Sequence, residues 1–257
     1  MKILCVGDVV GSAGCEMLRK QLPALRREHH IDLTIVNGEN SADGNGITPD
    51  SAEHIFTSGA DVITGGNHTF RRREIHALLE DNDRLLRPAN YPESAPGSGY
   101  AVIDMGYTTV AVINLLGVVY MEPLTDPFER AEQLVAKAKA DGAKVIVIDM
   151  HAEATAEKKA LAYHLDGRVS AIFGTHTHVQ TADEQVLPDG TGFITDVGMT
   201  GPYNSVLGVK PELAIQKMKD KLPVRFSTAE GACQLNACIF TVDAGGKCTN
   251  CERILLV

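Results

Sequence analysis

The sequence lacks tryptophan and is poor in aromatic side chains, which make up 5% of its 257 residues. It also lacks an excess of basic residues: 24 Lys and Arg stand against 33 Asp and Glu, for a formal net charge of −9. Bulk nucleic-acid binding is therefore not expected, because it needs a basic surface. No apolar run is long enough to cross a bilayer, and residues 1–10 lack a signal-peptide pattern, so we expect a cytoplasmic protein without membrane contact.

The sequence does contain ample material for a buried core, since 44% of its residues are hydrophobic. Short runs rich in Val and Ile alternate with amphipathic helical patterns, which indicates an α/β fold, and a hairpin turn at Gly106-Tyr107 makes its sheets mixed. No linker or internal repeat divides the chain, so we expect a single domain over residues 1–257. The predicted strands cover residues 3–6, 33–36, 61–64, 100–105, 109–115, 145–148, 169–173 and 192–195. The predicted helices cover residues 14–27, 48–59, 71–80, 126–142 and 156–165.

Four of the 6 cysteines lie near the C-terminus, and they allow two interpretations. Cys248 and Cys251 have the spacing of zinc ligands, which would make this region a structural metal site. Alternatively, residues 238–242 and 253–257 are the two strands of a hairpin that carries reduced thiols. We favour the hairpin, because a single CxxC pair is a weak metal signal.

Most of the predicted strands run directly into a polar cluster. In α/β sheets, ligands bind outside the carboxyl ends of the strands, so these clusters are expected to meet in one crevice. Imidazole and carboxylate ligands suit zinc, iron, manganese or nickel, and there are more of them than one ion needs. Two ions that share a bridging carboxylate are the usual arrangement for phosphoryl chemistry. The side chains concerned are Asp8, Glu39, Asn40, Asn67, His68, His151, His176 and His178.

Each of these residues taken alone has a simpler explanation. Asp8 is suited to cap the following helix, Glu39 and Asn40 to a turn, and a lone histidine to the surface or core. A dinucleotide-binding fold is a further alternative, because glycines follow the first strand and open a helix. Their spacing is GxxxGxxG rather than GxGxxG, however, and that fold leaves the histidines unexplained.

The polar clusters resemble the motifs of a known superfamily. Gly66-Asn67-His68 and Gly174-Thr175-His176-Thr177-His178, with His151 between them, are similar to calcineurin-type metallophosphoesterase motifs. Over nearly the whole chain the resemblance is closest to the YmdB family of bacterial metallophosphoesterases. It implies a calcineurin-like α/β fold, in which mixed sheets and flanking helices form a four-layer α/β/β/α sandwich. The family resemblance is completed by Gly7-Asp8-Val9-Val10-Gly11, Asn37-Gly38-Glu39-Asn40 and Asp196-Val197-Gly198-Met199-Thr200-Gly201.

Three positions depart from the wider superfamily. Its first motif is Asp-x-His, but Val10 stands where the histidine would be, and Asn40 is the expected substitute. Its bridging aspartate is replaced by Glu39, and Thr69 stands where a carboxylate commonly follows Asn-His. The first two changes are expected of the YmdB branch.

The resemblance also implies the roles of the clustered residues. It implies two divalent or trivalent transition-metal ions, with iron or manganese favoured. A metal-bridging hydroxide would attack phosphorus, and His68 would be the general acid for the leaving oxygen. The first ion would be held by Asp8, Glu39, Asn40 and His178, and the second by the bridging Glu39 with Asn67, His151 and His176.

The expected activity is hydrolysis of phosphodiesters, in particular cyclic nucleotides. Two alternatives stay open: a phosphomonoesterase (nucleotidase or protein phosphatase) and a metal-binding regulatory protein with weak catalysis. Tyr203 and Ser205 follow a strand end and are candidate substrate contacts, although Tyr203 is equally suited to pack its own loop. The expected partners are a small phosphodiester or nucleotide substrate and other copies of the chain in a homo-oligomer.

Overall fold

Thirteen strands, six α-helices and a short 3₁₀ helix form the chain in the computed structural model, which describes residues 1–257. The strands are β1 (Lys2–Val6), β2 (Asp8–Val9), β3 (Leu33–Asn37), β4 (Val62–Thr64), β5 (Tyr100–Asp104), β6 (Thr109–Leu116), β7 (Val145–His151), β8 (Ala171–Thr175), β9 (Gln185–Val186), β10 (Gly192–Ile194), β11 (Met199–Pro202), β12 (Cys233–Val242) and β13 (Cys248–Leu256). The helices are α1 (Gly11–His29), α2 (Pro49–Ser58), α3 (Ile75–Asp81), α4 (Pro127–Ala140), α5 (Thr155–His164) and α6 (Pro211–Asp220), and the 3₁₀ helix covers Thr69–Arg71.

The strands form two mixed sheets, as the sequence predicts. The first has seven strands in the order β2-β11-β12-β1-β3-β4, with β13 paired to β12. The second has six strands in the order β5-β6-β7-β8-β10-β9. Strands β1, β3 and β4 run parallel in the first sheet, and β6, β7, β8 and β10 run parallel in the second. Each sheet thus has a common edge at which several strands end.

Alternating side chains divide the interior into three cores. In β1, Ile3 and Cys5 point into a core between the two sheets, whereas Leu4 and Val6 point into a core shared with α1, α2 and α3. In β7, Val147 faces the inter-sheet core and Ile148 faces a third core shared with α4 and α5. Because a strand's side chains alternate in direction, each central strand joins two cores. The result is the four-layer α/β/β/α sandwich that the family resemblance implies.

Two helix starts follow their predicted capping signals. Thr48 caps α2 by accepting a hydrogen bond from the Ser51 backbone, with Pro49 in the first turn, and Gly59 ends the helix in a left-handed conformation. Asp126 caps α4 in the same way, by accepting from the backbone N–H groups of Phe128 and Glu129. These local signals therefore set the helix boundaries that the sequence predicts.

The helix predicted over residues 71–80 is wrong at its start. The segment begins as the 3₁₀ helix, Arg72 is extended, and α3 begins only at Ile75. The cause is a tertiary contact: the extended backbone lets the Arg72 guanidinium donate to the carbonyls of Ala42 and Asn45. Helix α6 and strands β2, β9 and β11 lie outside the predicted elements altogether.

The predicted C-terminal hairpin is confirmed as β12 and β13. The Sγ atoms of Cys248 and Cys251 are 3.7 Å apart, and both residues contact the inter-sheet core with Cys238. Cys233 packs instead against the core under α1, so the four cysteines do not converge as a zinc site requires. No helix is both long and apolar enough to span a membrane. A single domain over residues 1–257 stays a prediction, and the core shared between the sheets supports it.

Candidate active site

The carboxyl ends of the two sheets meet at one place. Asp149, near the end of β7, accepts hydrogen bonds from Thr64 at the end of β4 (2.5 Å) and from Asn37 at the end of β3 (3.0 Å). Across the same gap, the His176 backbone donates to Asp8 over 3.1 Å. The polar clusters that follow separate strands in the sequence are therefore neighbours in space.

One group of side chains surrounds Glu39. The ring of His151 places Nε2 at 3.4 Å from Glu39 Oε2 and 3.0 Å from Asn67 Oδ1. His176 Nδ1 lies 3.1 Å from the same His151 nitrogen. One ligand atom each from Glu39, His151 and His176 lie within 4.8 Å of one another, which is close enough to share an ion. Glu39, Asn67, His151 and His176, the four residues expected to hold the second ion, are therefore neighbours.

A second group surrounds Asp8. His178 Nε2 lies 3.6 Å from Asp8 Oδ1 and 3.2 Å from the side-chain nitrogen of Asn40. That Asn40 nitrogen also donates to Glu39 Oε1 over 2.8 Å, which links the two groups. The four residues expected to hold the first ion are thus together, although the Asn40 amide turns its nitrogen rather than its oxygen toward His178.

The three clustered histidines share one arrangement: an outer ring nitrogen is held by the protein, and the inner one faces the cluster. The outer nitrogen of His151 contacts Thr175 Oγ1 at 2.9 Å, and that of His176 contacts a Glu153 carboxylate oxygen at 3.1 Å. The outer nitrogen of His178 contacts the Leu207 carbonyl at 3.0 Å. Partners of this kind fix the tautomer of a metal-ligating histidine, so the donor set fits a metal.

Two further observations fit an ion. Asp8 Oδ1 is buried and has no hydrogen-bond partner in the protein, which is costly unless something else binds it. Gly66 lets the backbone pass close to the cluster, because a Cβ there would stand 2.3 Å from both Glu39 Oε2 and His151 Nε2. A side chain at position 66 would therefore fill the space among the ligand atoms that an ion would occupy.

Burial and charge act in opposite directions on the acids and histidines. Burial raises the pKa of Asp8, but the nearby imidazoles of His178 and His151 bring it below its usual value. Burial lowers the pKa of His151 well below its usual value. Burial also acts against a charged His178, yet the Asp8 carboxylate, 3.6 Å away, raises the pKa of His178 to about 9. Asp8 and His178 therefore each favour the charged form of the other.

A bent backbone brings His176 and His178 to the same side. Both residues have positive φ, at 98° and 61°, and this bend cancels the alternation that would separate residues two apart in a strand. Thr177 points away and donates to Asp196 through its backbone and hydroxyl. Lys158 is fully buried beneath the bend, where it donates to the Thr175 carbonyl (2.7 Å) and to Asp196 (2.8 Å).

His68 lies at the edge of the cluster with its side chain 28% exposed. Its backbone N–H donates to Glu39 Oε2 over 2.9 Å. Its ring Nδ1 is 2.8 Å from Asn40 Oδ1 and 3.2 Å from Glu39 Oε1, so these residues orient the imidazole. Thr69 closes the turn through hydrogen bonds with the backbone of Gly66. The Nε2 atom of His68 makes no hydrogen bond to the protein.

Comparison with known proteins assigns the family. The sequence model of the family described as YmdB-like protein matches residues 4–254. The chain belongs to this family.

Members and structural relatives of the YmdB-like family agree with the fold. A Bacillus subtilis (strain 168) protein, described as 2',3'-cyclic-nucleotide 2'-phosphodiesterase, is 48% identical over 257 residues, which are 100% of this chain and 97% of the relative. The crystal structure of a novel phosphatase from Mycoplasma pneumoniae has a TM-score of 0.93 at 35% identity, and covers 100% of this chain and 93% of that one. A 5'-nucleotidase precursor from Thermus thermophilus shares the fold alone, with a TM-score of 0.59 at 17% identity over 100% of this chain and 54% of that one.

Several residues of this YmdB-like site lie outside the predicted set. Asp149 is fully buried, and burial raises its pKa to about 7 against the hydrogen bonds from Thr64, Thr175 and Asn37. Its position two residues before His151 in β7 is a sequence signal, because residues two apart share a strand face. Lys158 has no such signal, since a lysine in a helix is ordinarily solvated.

Tyr203 and Ser205 lie beside this cluster rather than in it. They line a hollow that also includes His178, and the Tyr203 side chain is half exposed. The Ser205 hydroxyl donates to the Pro202 carbonyl (2.7 Å) and accepts from the Gly208 backbone (2.9 Å), so it holds its own loop together. Their contact with substrate stays a prediction.

Proposed function

We propose that the chain is a metal-dependent phosphoric ester hydrolase, and specifically a phosphodiesterase that hydrolyses cyclic nucleotides or similar small phosphodiesters. The observation that carries this proposal is the set of three histidines, each with one nitrogen held from outside and the other facing Asp8 and Glu39. The name of the B. subtilis relative supports the choice of a diester among phosphate substrates.

The proposed metal ligands form two sets that share Glu39. Asp8, Asn40 and His178 would hold one ion with it, after a half-turn of the Asn40 amide that presents oxygen instead of nitrogen. Asn67, His151 and His176 would hold the other. Transition-metal ions, with iron or manganese favoured, supply positive charge for the phosphoryl oxygens and lower the pKa of water when bound.

His68 is the proposed general acid. Its Nδ1 lies 3.2 Å from Glu39 Oε1, and its Nε2 is free at an accessible edge of the site. A protonated imidazole there can give its proton to the oxygen that leaves phosphorus, and this prevents a costly alkoxide.

The test compares His68→Ala with His151→Ala, using metal content and two substrates. If His68 is the acid and not a ligand, His68→Ala keeps its metal and loses about 10²–10⁴-fold in turnover of a nucleoside cyclic phosphate. The loss shrinks with a nitrophenyl diester, whose leaving group needs little protonation. His151→Ala loses metal as well as rate.

The two variants also separate the competing explanations. If His68→Ala loses metal as His151→Ala does, or is equally impaired on both substrates, His68 is a ligand or a clamp rather than an acid. A matched nitrophenyl monoester distinguishes a phosphodiesterase from a phosphomonoesterase. Absence of turnover with every ester, while metal remains bound, would instead favour a metal-binding regulatory protein.

A further inference from the structure

A cavity of about 810 Å³ has His68 in its wall. It also includes Leu207, whose carbonyl oxygen lies 3.0 Å from the His178 ring, so the cavity adjoins the proposed metal site directly. Pockets of roughly 300–1,000 Å³ hold ligands of nucleotide size. A substituent of the reacting phosphate that extends past His68 therefore enters this cavity.

The cavity wall is basic, although the whole chain has a net charge of −9. Three arginines line it, and Asp43 is the one acidic residue among them. Arg72 is already engaged, since its guanidinium contacts Asp43 at 3.7 Å and donates to the Asn45 carbonyl over 3.1 Å. Arg71 and Arg225 make no side-chain hydrogen bond or ion pair with the protein. Two exposed arginines without a partner in the protein thus line one cavity.

Unpaired guanidinium groups in a pocket are suited to bind phosphate, because their N–H groups match two phosphate oxygens at once. Next to Arg225, the ring of Phe226 forms another part of the wall and is half exposed. An exposed aromatic ring beside basic groups offers a surface for a nucleobase to stack on. The cavity therefore combines the two features by which proteins bind a nucleotide.

We propose that Arg71 and Arg225 form a second phosphate subsite, and that the preferred substrate carries a phosphate besides the one that reacts. This inference rests on the proposed phosphodiesterase function. In a nucleoside 2',3'-cyclic phosphate the 2' and 3' oxygens belong to the reacting group, so the second phosphate is on the 5' oxygen. It is either a terminal monoester or the link to a neighbouring nucleoside. The water oxygen still forms a new P–O bond as one P–O bond of the cyclic diester breaks, and the released ribose oxygen takes a proton from His68.

The test compares kcat/KM for three substrates: adenosine 2',3'-cyclic phosphate, the same compound with a 5'-phosphate, and a dinucleotide that ends in the cyclic phosphate. Hydrogen bonds between charged groups are stronger than neutral ones, so we expect the 5'-phosphorylated compounds to be preferred about tenfold or more. A preference for the monoester identifies a terminal phosphate as the ligand, and a preference for the dinucleotide identifies an internucleotide link.

Arg71→Gln and Arg225→Gln should each reduce kcat/KM for the preferred substrate about tenfold more than for the unsubstituted one. Arg73→Gln is the matched control: it is an exposed arginine outside the cavity wall, and it should leave both values unchanged. Equal kcat/KM for all three substrates in the wild-type protein, or equal losses in all three variants, would refute the subsite.

A binding measurement separates this inference from the function on which it rests. Adenosine 3',5'-bisphosphate and adenosine 3'-monophosphate are titrated into the wild-type protein and the two subsite variants by calorimetry. Tighter binding of the bisphosphate, lost in the variants, supports the subsite even if no diester is hydrolysed. Hydrolysis without any difference between the two ligands refutes the subsite and leaves the phosphodiesterase intact.

Discussion

The first prediction concerns Lys158, which is buried below the bend that carries His176 and His178. Lys158 is fully buried and gives hydrogen bonds to the Thr175 carbonyl at 2.7 Å and to Asp196 at 2.8 Å. Lys158→Met keeps much of the side-chain volume but leaves Asp196 as an unpaired buried charge. Removing one partner of a buried ion pair typically costs about 3–5 kcal/mol in the free energy of unfolding. Because Asp196 also holds Thr177, the variant should bind metal more weakly as well.

Urea unfolding and metal content measure these two effects. Lys159→Met is the control. The Lys159 side chain is about half exposed and pairs with Asp183 at 3.2 Å. A surface ion pair of this kind contributes at most about 1 kcal/mol to the free energy of unfolding. The double variant Lys158→Met/Asp196→Asn removes both charges and should recover part of the stability, which keeps the test usable if the single variant does not fold. Equal stability of Lys158→Met and Lys159→Met, or no recovery in the double variant, would refute the reasoning.

Three further predictions concern the metal cluster. Gly66→Ala should abolish metal binding, because its Cβ would stand 2.3 Å from both Glu39 and a ring nitrogen of His151; normal metal content by elemental analysis would contradict this. Asp8 raises the pKa of His178 to about 9 against the effect of burial. A ligating histidine must lose its proton, so metal affinity measured by calorimetry should rise as pH goes from 7 to 9, by about tenfold per unit, and level off above. Constant affinity across that range would count against His178 as a ligand. Glu39→Gln should reduce metal content more than Asn40→Ala does, because a bridging carboxylate neutralises two cations; similar contents would argue against the bridge.

Much of the fold is encoded in short stretches of sequence. Alternating apolar residues predict the central strands, and the caps at Thr48 and Asp126 predict where α2 and α4 begin. The grouping of Asp8 with Glu39 follows from the same local patterns, because parallel strands end at a common edge. These patterns specify local structure only. The site residues that directly follow a strand end were therefore predictable from the sequence.

The rest depends on contacts between distant segments. Arg72 is extended rather than helical because its side chain reaches carbonyls 27 and 30 residues earlier, and no local pattern predicts that. Lys158 is buried only because Asp196, 38 residues later, folds over it. The cavity wall likewise joins Arg71 to Arg225 from opposite parts of the sequence. Asp149 was within reach of prediction, since it shares a strand face with His151.

We propose that seven side chains hold two ions that phosphodiester hydrolysis requires. This proposal is tested most directly by titrating manganese into chelator-treated protein while bound metal and turnover of adenosine 2',3'-cyclic phosphate are measured in the same samples. We expect no turnover without metal, binding that saturates at two ions per chain, and activity that rises with the second ion. Turnover in the metal-free protein, or saturation of both signals at one ion per chain, would contradict it.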